Sequence, residues 1–244
     1  MVNLLIPMTG KGSRFRKAGF QRPKPFIDVL GQTMIERVLD NLSCDDIKFI
    51  LIAQQEHIQA EKALISKIKK DYNVEFIPIN QITEGAACTT LFARQHINNS
   101  YPLVIANSDQ IVDINFQDFV NDCLNRKLDG SIMTFKNTYR DTKWSFASID
   151  EKGLVKEVAE KKAISDQATV GIYMFTEGSI YVNAAIDMIV RNERINNEFY
   201  VCPVYNFAIA NNSKIGIYEI DYTKMHGLGT PKDLQAYIES VEKH

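Results

Sequence analysis

The sequence predicts an α/β fold, a doubly wound, mainly parallel mixed sheet whose second half contains a hairpin. Three observations predict it. Through the first half, apolar runs of strand length alternate with segments of helical apolar spacing, the pattern of β-α-β units on a parallel sheet. The run IKFILIA at 47–53 is apolar almost throughout, as in a strand covered on both faces. Beyond residue 130 the rhythm changes to short strand-like runs, with Glu151-Lys152-Gly153 as the turn of a hairpin.

Taken in order, Val2–Pro7 (VNLLIP) reads as a buried first strand. Met34, Ile35, Val38, Leu39 and Leu42 recur at helical spacing and predict a helix over 32–43. The second strand is 47–53. Ile58, Leu64, Ile65 and Ile68 mark a second helix. A strand over 74–79, a helix over 85–97 and a strand over 103–106 follow. Phe116, Phe119, Val120, Cys123 and Leu124 mark the next helix. Strands are expected over 131–136, 145–150, 154–160, 170–175 and 214–220. A last helix over 230–241 starts with Thr230 as N-cap, Pro231 in the first helical position and Asp233 completing a capping-box-like start. No composition shift, repeat or low-complexity linker interrupts the chain, so one domain over 1–244 is expected.

Lys plus Arg is 28 and Asp plus Glu is 30, a net charge of −2. A general polyanion binder carries a basic excess, so nucleic acid is not an expected partner. Cys44, Cys88, Cys123 and Cys202 form no C-x-x-C, and His57, His96, His226 and His244 no H-x-x-x-H. Neither a disulfide framework nor a cysteine zinc site is expected. No apolar run approaches ~18 residues and the first residues lack a basic n-region. The expectation is a cytoplasmic protein with no membrane partner; oligomeric state is not legible.

Ligands of open α/β sheets bind beyond the carboxyl ends of the strands. Three segments stand there: 8–25 after the first strand, 81–87 after the third and 107–113 after the fourth. The first, MTGKGSRFRKAGFQRPKP, holds Gly10, Gly12 and Gly19 and six cations, Lys11, Arg14, Arg16, Lys17, Arg22 and Lys24, with no acid. Glycines let backbone N–H groups approach phosphate oxygens that cations neutralise. The same composition also suits a flexible basic surface loop. A Rossmann fingerprint needs glycine where Phe15 stands, and a Walker loop needs lysine where Ser13 stands.

What fits is G-x-G-x-R followed by P-K-P, carried by Gly10, Gly12, Arg14, Pro23, Lys24 and Pro25. Here the chain resembles the nucleotidyltransferase family that activates sugar phosphates and related phosphorylated metabolites. The resemblance implies a Rossmann-like nucleotidyltransferase fold, with a nucleotide-binding half over about 1–130 and an acceptor-binding half over about 131–244. It implies that Met8, Thr9, Gly10, Gly12 and Ser13 wrap a nucleoside triphosphate while Arg14 and Lys24 act as catalytic cations. Residues 29–35 (VLGQTMI) resemble the family's V-x-G-x-P-M-I, with Thr33 in place of proline. Gln81, Glu84, Gly85 and Ala86 resemble the nucleobase segment, although Ala86-Ala87 equally suits an ordinary helix start. Ser108 is placed on the nucleotide.

Asn107-Ser108-Asp109 ends an apolar strand. A carboxylate there, facing a cationic loop, suits Mg²⁺ between phosphate oxygens, and equally a turn aspartate. The resemblance selects Asp109 over Asp113. Glu160-Lys161 resembles the family's E-K-P with Lys162 in place of proline, which implies that Lys161 binds the acceptor's phosphate; a solvated charge run is the alternative. Glu160, Gly171 and Glu198 are placed on the acceptor. Aligning Gly229-Thr230-Pro231 with the family's G-T-P puts Gly227 where a second metal aspartate is usual, and leaves His226 as a candidate ligand. The short chain and its H-G-L-G-T-P ending resemble surface-polysaccharide nucleotidyltransferases, cytidylyltransferases among them, which implies CTP as donor and a phosphorylated small molecule as acceptor. UTP or dTTP with a sugar 1-phosphate is the alternative. A nucleotide-sugar glycosyltransferase would carry D-x-D where N-S-D stands, and the missing aspartate would suit a non-catalytic nucleotide-binding protein.

Overall fold

The computed structural model describes residues 1–242; His244 lies outside them. β1 (Val2–Pro7) leads through α1 (Ser13–Lys17) and the antiparallel pair β2 (Asp28–Val29) and β3 (Gln32–Thr33) into α2 (Met34–Asn41). Then come β4 (Ile47–Gln54), α3 (Gln55–Ala60), α4 (Lys62–Asp71), β5 (Val74–Ile79), α5 (Ala86–Thr90), α6 (Arg94–Ile97) and β6 (Leu103–Ala106). β1 pairs in parallel with β4 on one side and β6 on the other, and β4 with β5. Strand order therefore reverses at β1. The loops leaving the carboxyl ends of β1 and β6 flank that switch point, where open α/β sheets bind ligands.

β7 (Gln110–Val112), α7 (Phe116–Asn125), β8 (Gly130–Lys136), β9 (Ser145–Ile149), β10 (Val155–Glu160) and β11 (Gln167–Phe175) follow. α8 (Gly178–Val190), α9 (Val204–Ala210), β12 (Ile215–Glu219), β13 (Met225–Gly227) and α10 (Pro231–Val241) complete the described chain. β11 runs antiparallel to β6 and carries β8 and the β9–β10 hairpin onto the same sheet, and β12 joins β8 in parallel. The hairpin turn is set by Asp150, whose carboxylate accepts from Lys152 and Leu154 N–H, and by Gly153 at φ +75°. Side chains of β1 alternate between two apolar clusters, Leu4 and Ile6 into one and Leu5 into the other. Val38, Ile68 and Phe119 of α2, α4 and α7 cover the first face, and Ala87, Tyr181 and Tyr205 of α5, α8 and α9 the second.

Four expectations change. The helix over 32–43 starts later, at Met34, because Thr33 closes a capping box with Glu36. The second helix breaks at Glu61 into α3 and α4. The helix over 85–97 is α5, a 3₁₀ turn at Leu91–Ala93 and α6. Thr89 and Thr90 hydroxyls bond back to the Gly85 and Ala87 carbonyls, and such back-bonding bends helices. α8 and α9 were not expected from the pattern. Both are apolar over most of their surface, which erases the periodicity that marks an amphipathic helix. Thr230 caps α10 as expected, accepting from Asp233 N–H at 3.1 Å.

Candidate active site

The loop after β1 is held from below. Phe15 and Phe26 are buried in the core, and Phe15 meets Phe20 edge-on at 5.3 Å. Gly12 sits at φ +58°, and a Cβ on it would lie 3.2 Å from Lys24 Cβ. Glycine here supplies both the left-handed backbone and the close approach to the P-K-P turn. With its aromatics inward, the loop presents Arg14 and Lys24 to a cavity of about 350 Å³. Met8, Gly10, Gly12 and Ser13 line one side of it, and Asn107, Ser108, Asp109 and Gly229 the other.

Across that cavity the Lys24 ammonium donates to the Asp109 carboxylate; the two side chains are 19% and 22% exposed. Asp109 is itself fixed. Its carbonyl accepts from Leu228 N–H at 2.7 Å, and a Cβ on Gly229 would stand 2.9 Å from its Oδ2. β13 pairs with β7, so the segment entering α10 packs against the Asp109 loop.

Among the described residues Asp109 is the one carboxylate lining this cavity. Among the described residues no three His, Cys, Asp or Glu side chains converge as a metal cage. Mg²⁺ keeps several waters and takes one or two carboxylates plus phosphate oxygens. One aspartate facing a phosphate-sized, cation-lined cavity therefore fits an ion that arrives with a triphosphate. His226 Nε2 lies 2.6 Å from Asp113 Oδ2, with its ring 5.7 Å from that of Tyr237. The structure thus pairs His226 with Asp113 and not with Asp109. A side chain at Gly227 would meet open space.

A second cavity, of about 370 Å³, adjoins the first and shares Pro7 and Asn107 with it. Trp144, Ser145, Glu160, Gly171, Tyr173 and Tyr200 line it, with Ala86. Lys161 ends β10 in a left-handed conformation, φ +53°. Its ammonium donates to the Tyr200 hydroxyl at 2.7 Å and lies 4.7 Å over the Tyr200 ring. That hydrogen bond holds Lys161 above the usual lysine range. Glu198 flanks the same hydroxyl, whose pKa is raised chiefly by burial.

Glu160 accepts from Ser145 Oγ, and burial holds its carboxyl above the usual range. A carboxyl whose folded pKa exceeds its unfolded value binds its proton more tightly when folded. It costs no stability below the unfolded value, and an increasing amount as pH rises from there to the folded one. Glu160→Gln is expected to leave thermal stability unchanged at pH 4 and to raise it progressively above about pH 4.5. Melting curves from pH 4 to 8 that stay parallel would contradict this.

The 81–87 segment is tied to the 198–200 segment. Phe199 N–H donates to Glu84 O at 2.7 Å and Ala87 N–H to Phe199 O at 2.9 Å, while Arg194 pairs with Glu84 at 2.9 Å. Gly85, at φ +126°, lies on the Phe199 backbone so closely that a Cβ would collide with it. Gly85→Ala is expected to cost on the order of 3 kcal/mol of stability, read as a lower urea midpoint; an unchanged midpoint would refute it. The Gln54 amide donates to Thr9 O at 3.3 Å and Gln81 O at 3.5 Å, joining this segment to the β1 loop. Gln81, Glu84 and Gly85 line neither of the two cavities.

The family pattern described as Nucleotidyl transferase matches residues 5–203. The chain belongs to the nucleotidyl transferase family. This nucleotidyl transferase is 28% identical over 180 residues to the mannose-1-phosphate guanylyltransferase catalytic subunit beta of Drosophila melanogaster, covering 70% of the chain and 47% of that protein. It spans about half the length of the curated relatives it matches first. Its fold is shared with the nucleoside-diphosphate-sugar pyrophosphorylase from Vibrio cholerae RC9, at a TM-score of 0.83 and 24% identity over 97% of this chain and 99% of that one. It is shared also with the inositol-1-phosphate CTP transferase from T. maritima, at a TM-score of 0.76 and 12% identity over 100% and 96% of the two chains.

In this nucleotidyl transferase, Met8, Gly10, Gly12, Ser13, Arg14, Lys24, Ser108 and Asp109 converge on the first cavity, and Ala86, Glu160 and Gly171 on the second. Lys161 and Glu198 meet at Tyr200 on its rim. Thr9 faces a neighbouring cavity with Lys11, Arg16 and Gln54. Asn107, Trp144, Ser145, Tyr173 and Gly229 line these cavities without having been candidates from the sequence. Asn107 and Gly229 carried a signal, as the first polar residue after an apolar strand and as part of G-T-P.

Proposed function

We propose that this nucleotidyl transferase moves a nucleoside monophosphate from a nucleoside triphosphate, CTP first, to a phosphorylated small molecule, releasing pyrophosphate. Phosphoglutamine is the first acceptor to test, and capsule or surface-polysaccharide biosynthesis the setting. The observation that carries the reading is the pair of adjoining cavities at the switch point. One is lined by a cationic glycine loop and a single aspartate, and the other lies beside a lysine and a half-buried glutamate. The nucleotide-binding half is assigned to about 1–130 and the acceptor-binding half to about 131–244.

An acceptor phosphate carries about −1.5 to −2 charges near pH 7 and is already a nucleophile. No general base is required; positioning and charge neutralisation do the work. An acceptor phosphate oxygen attacks the α-phosphorus in line. The new O–P bond forms as the bond to the β-phosphate bridging oxygen breaks, and the electron pair leaves with pyrophosphate. Gly10, Gly12 and Ser13 hold the phosphates by backbone N–H. Arg14 and Lys24 stabilise the developing charge. Lys24 leaves Asp109 for the phosphates, and Asp109 is the residue that would hold a Mg²⁺ ion brought with the triphosphate. That ion neutralises phosphate charge when bound. Thr9 and Gln81, joined through Gln54, form the nucleobase end with Met8, Glu84, Gly85 and Ala86. Lys161 meets the acceptor's phosphate, and Glu160, Gly171 and Glu198 its body.

The names of the relatives favour a second reading, a sugar 1-phosphate as acceptor with another triphosphate as donor. One panel separates the two: four nucleoside triphosphates against phosphoglutamine, mannose 1-phosphate and glucose 1-phosphate, scored by pyrophosphate release. Release with CTP and phosphoglutamine supports the first reading. Release only with a sugar 1-phosphate supports the second, and tight triphosphate binding without release overturns both.

A further inference from the structure

We propose that the Asn107 carboxamide seats the acceptor's phosphate at the junction of the two cavities, with Lys161 supplying the countercharge. The inference rests on the transferase reading and adds a residue to it. Among the described residues only Pro7 and Asn107 line both cavities, and Pro7 offers no side-chain donor. Whatever oxygen crosses from the acceptor side to the α-phosphorus therefore passes the Asn107 amide.

The seat of that amide is built into the sheet. Asn107 N–H donates to Gly171 O at 3.3 Å, extending the β6–β11 ladder by one residue. Gly171 stands at φ +92° inside the register shift between Thr169 and Tyr173. A Cβ at Gly171 would overlap Asn107 Nδ2, so the bare glycine is what lets the amide lie there. Several side chains around it are engaged with one another: Asp109 with Lys24, Ser145 with Glu160, Thr169 with Tyr173. Among the described residues no protein group takes the Asn107 carboxamide, whose two N–H donors are left for a ligand.

The residue type follows from its neighbour. A cation two residues from Asp109 would be captured by that carboxylate, as Lys24 is. A carboxamide is neutral, does not titrate and donates to phosphate oxygens without being captured. It therefore orients the oxygens of the acceptor's phosphate that do not attack, while Arg14 and Lys24 handle the charge of the donor.

The test reads binding apart from turnover. The full chain is saturated with Mg²⁺ and α,β-methylene CTP, which closes the triphosphate cavity and blocks reaction. Inorganic phosphate is then titrated in while the Asn107 side-chain amide signal, assigned by its loss in Asn107→Leu, is followed by NMR. The amide is expected to shift saturably. Asn107→Asp, which keeps the shape, is expected to weaken phosphate at least tenfold while analogue affinity stays within twofold. Gly171→Ala is expected to weaken phosphate as well. Absence of phosphate binding, saturation with an unmoved amide, or unchanged affinity in Asn107→Asp each overturns the proposal. If wild type releases no pyrophosphate with any triphosphate and acceptor, yet phosphate still shifts Asn107, the transferase reading falls and the phosphate seat stands.

Discussion

Lys24→Ala lowers the rate of pyrophosphate release by about 10²–10³-fold at saturating substrates, the cost of removing one pre-placed donor to developing charge. Lys24 lies between two prolines on a 3₁₀ turn, with Gly12 packed against its Cβ and its side chain about four-fifths buried. The backbone is therefore held while the side chain is free to exchange partners. Its loss removes a charge-assisted hydrogen bond to Asp109, about 1.5–3 kcal/mol, but neither Phe15 nor Phe26 moves out of the core. Circular dichroism should be unchanged, and the loss should fall on kcat more than on triphosphate KM, because the lysine is bound to Asp109 in the free protein. A variant within threefold of wild-type kcat would remove Lys24 from the chemistry.

Asp109→Asn produces the second large effect, and its two halves have opposite signs. Turnover in saturating Mg²⁺ falls by about 10²-fold or more, since the one carboxylate lining the cavity is gone. Triphosphate binding measured without metal becomes tighter, because Lys24 no longer has to be taken from a carboxylate. Calorimetry in EDTA and pyrophosphate release in Mg²⁺ check the halves separately. A drop in both would mean that Asp109 serves as a scaffold for the loop held by Leu228 and Gly229.

The site was legible where a loop carries its own chemistry. Gly10, Gly12, Arg14 and Lys24 lie within fifteen residues, and their spacing alone distinguishes them from a Rossmann or Walker loop. Asp109 was singled out over Asp113 by the family resemblance, since its place after a short apolar strand equally suits a turn aspartate. His226 was placed by its neighbour in sequence, and the fold instead turns it onto Asp113. Gln81, Glu84 and Gly85 were placed at the nucleobase, while the fold uses Gly85 and the Glu84 backbone to tie their segment to Phe199. Tyr200, Trp144 and Tyr173 were invisible as a group, because one comes from β11 and two from separate loops, and no local pattern joins them.

The alternation of apolar runs and helical spacing, and the cationic glycine loop, are properties of neighbours in sequence. Local sterics, hydrogen bonding and burial act at that range, so the parallel core and the cationic glycine loop follow from the chain alone. The order of strands was not local. β1 lies between β4 and β6 because both faces of each need covering, and that choice alone sets Lys24 against Asp109, 85 residues apart. The Gly171 bulge, likewise, brings Asn107 between two cavities only once β11 has paired antiparallel to β6. Long-range pairing of this kind is decided by the total buried surface of the packed sheet, a quantity that no segment carries by itself.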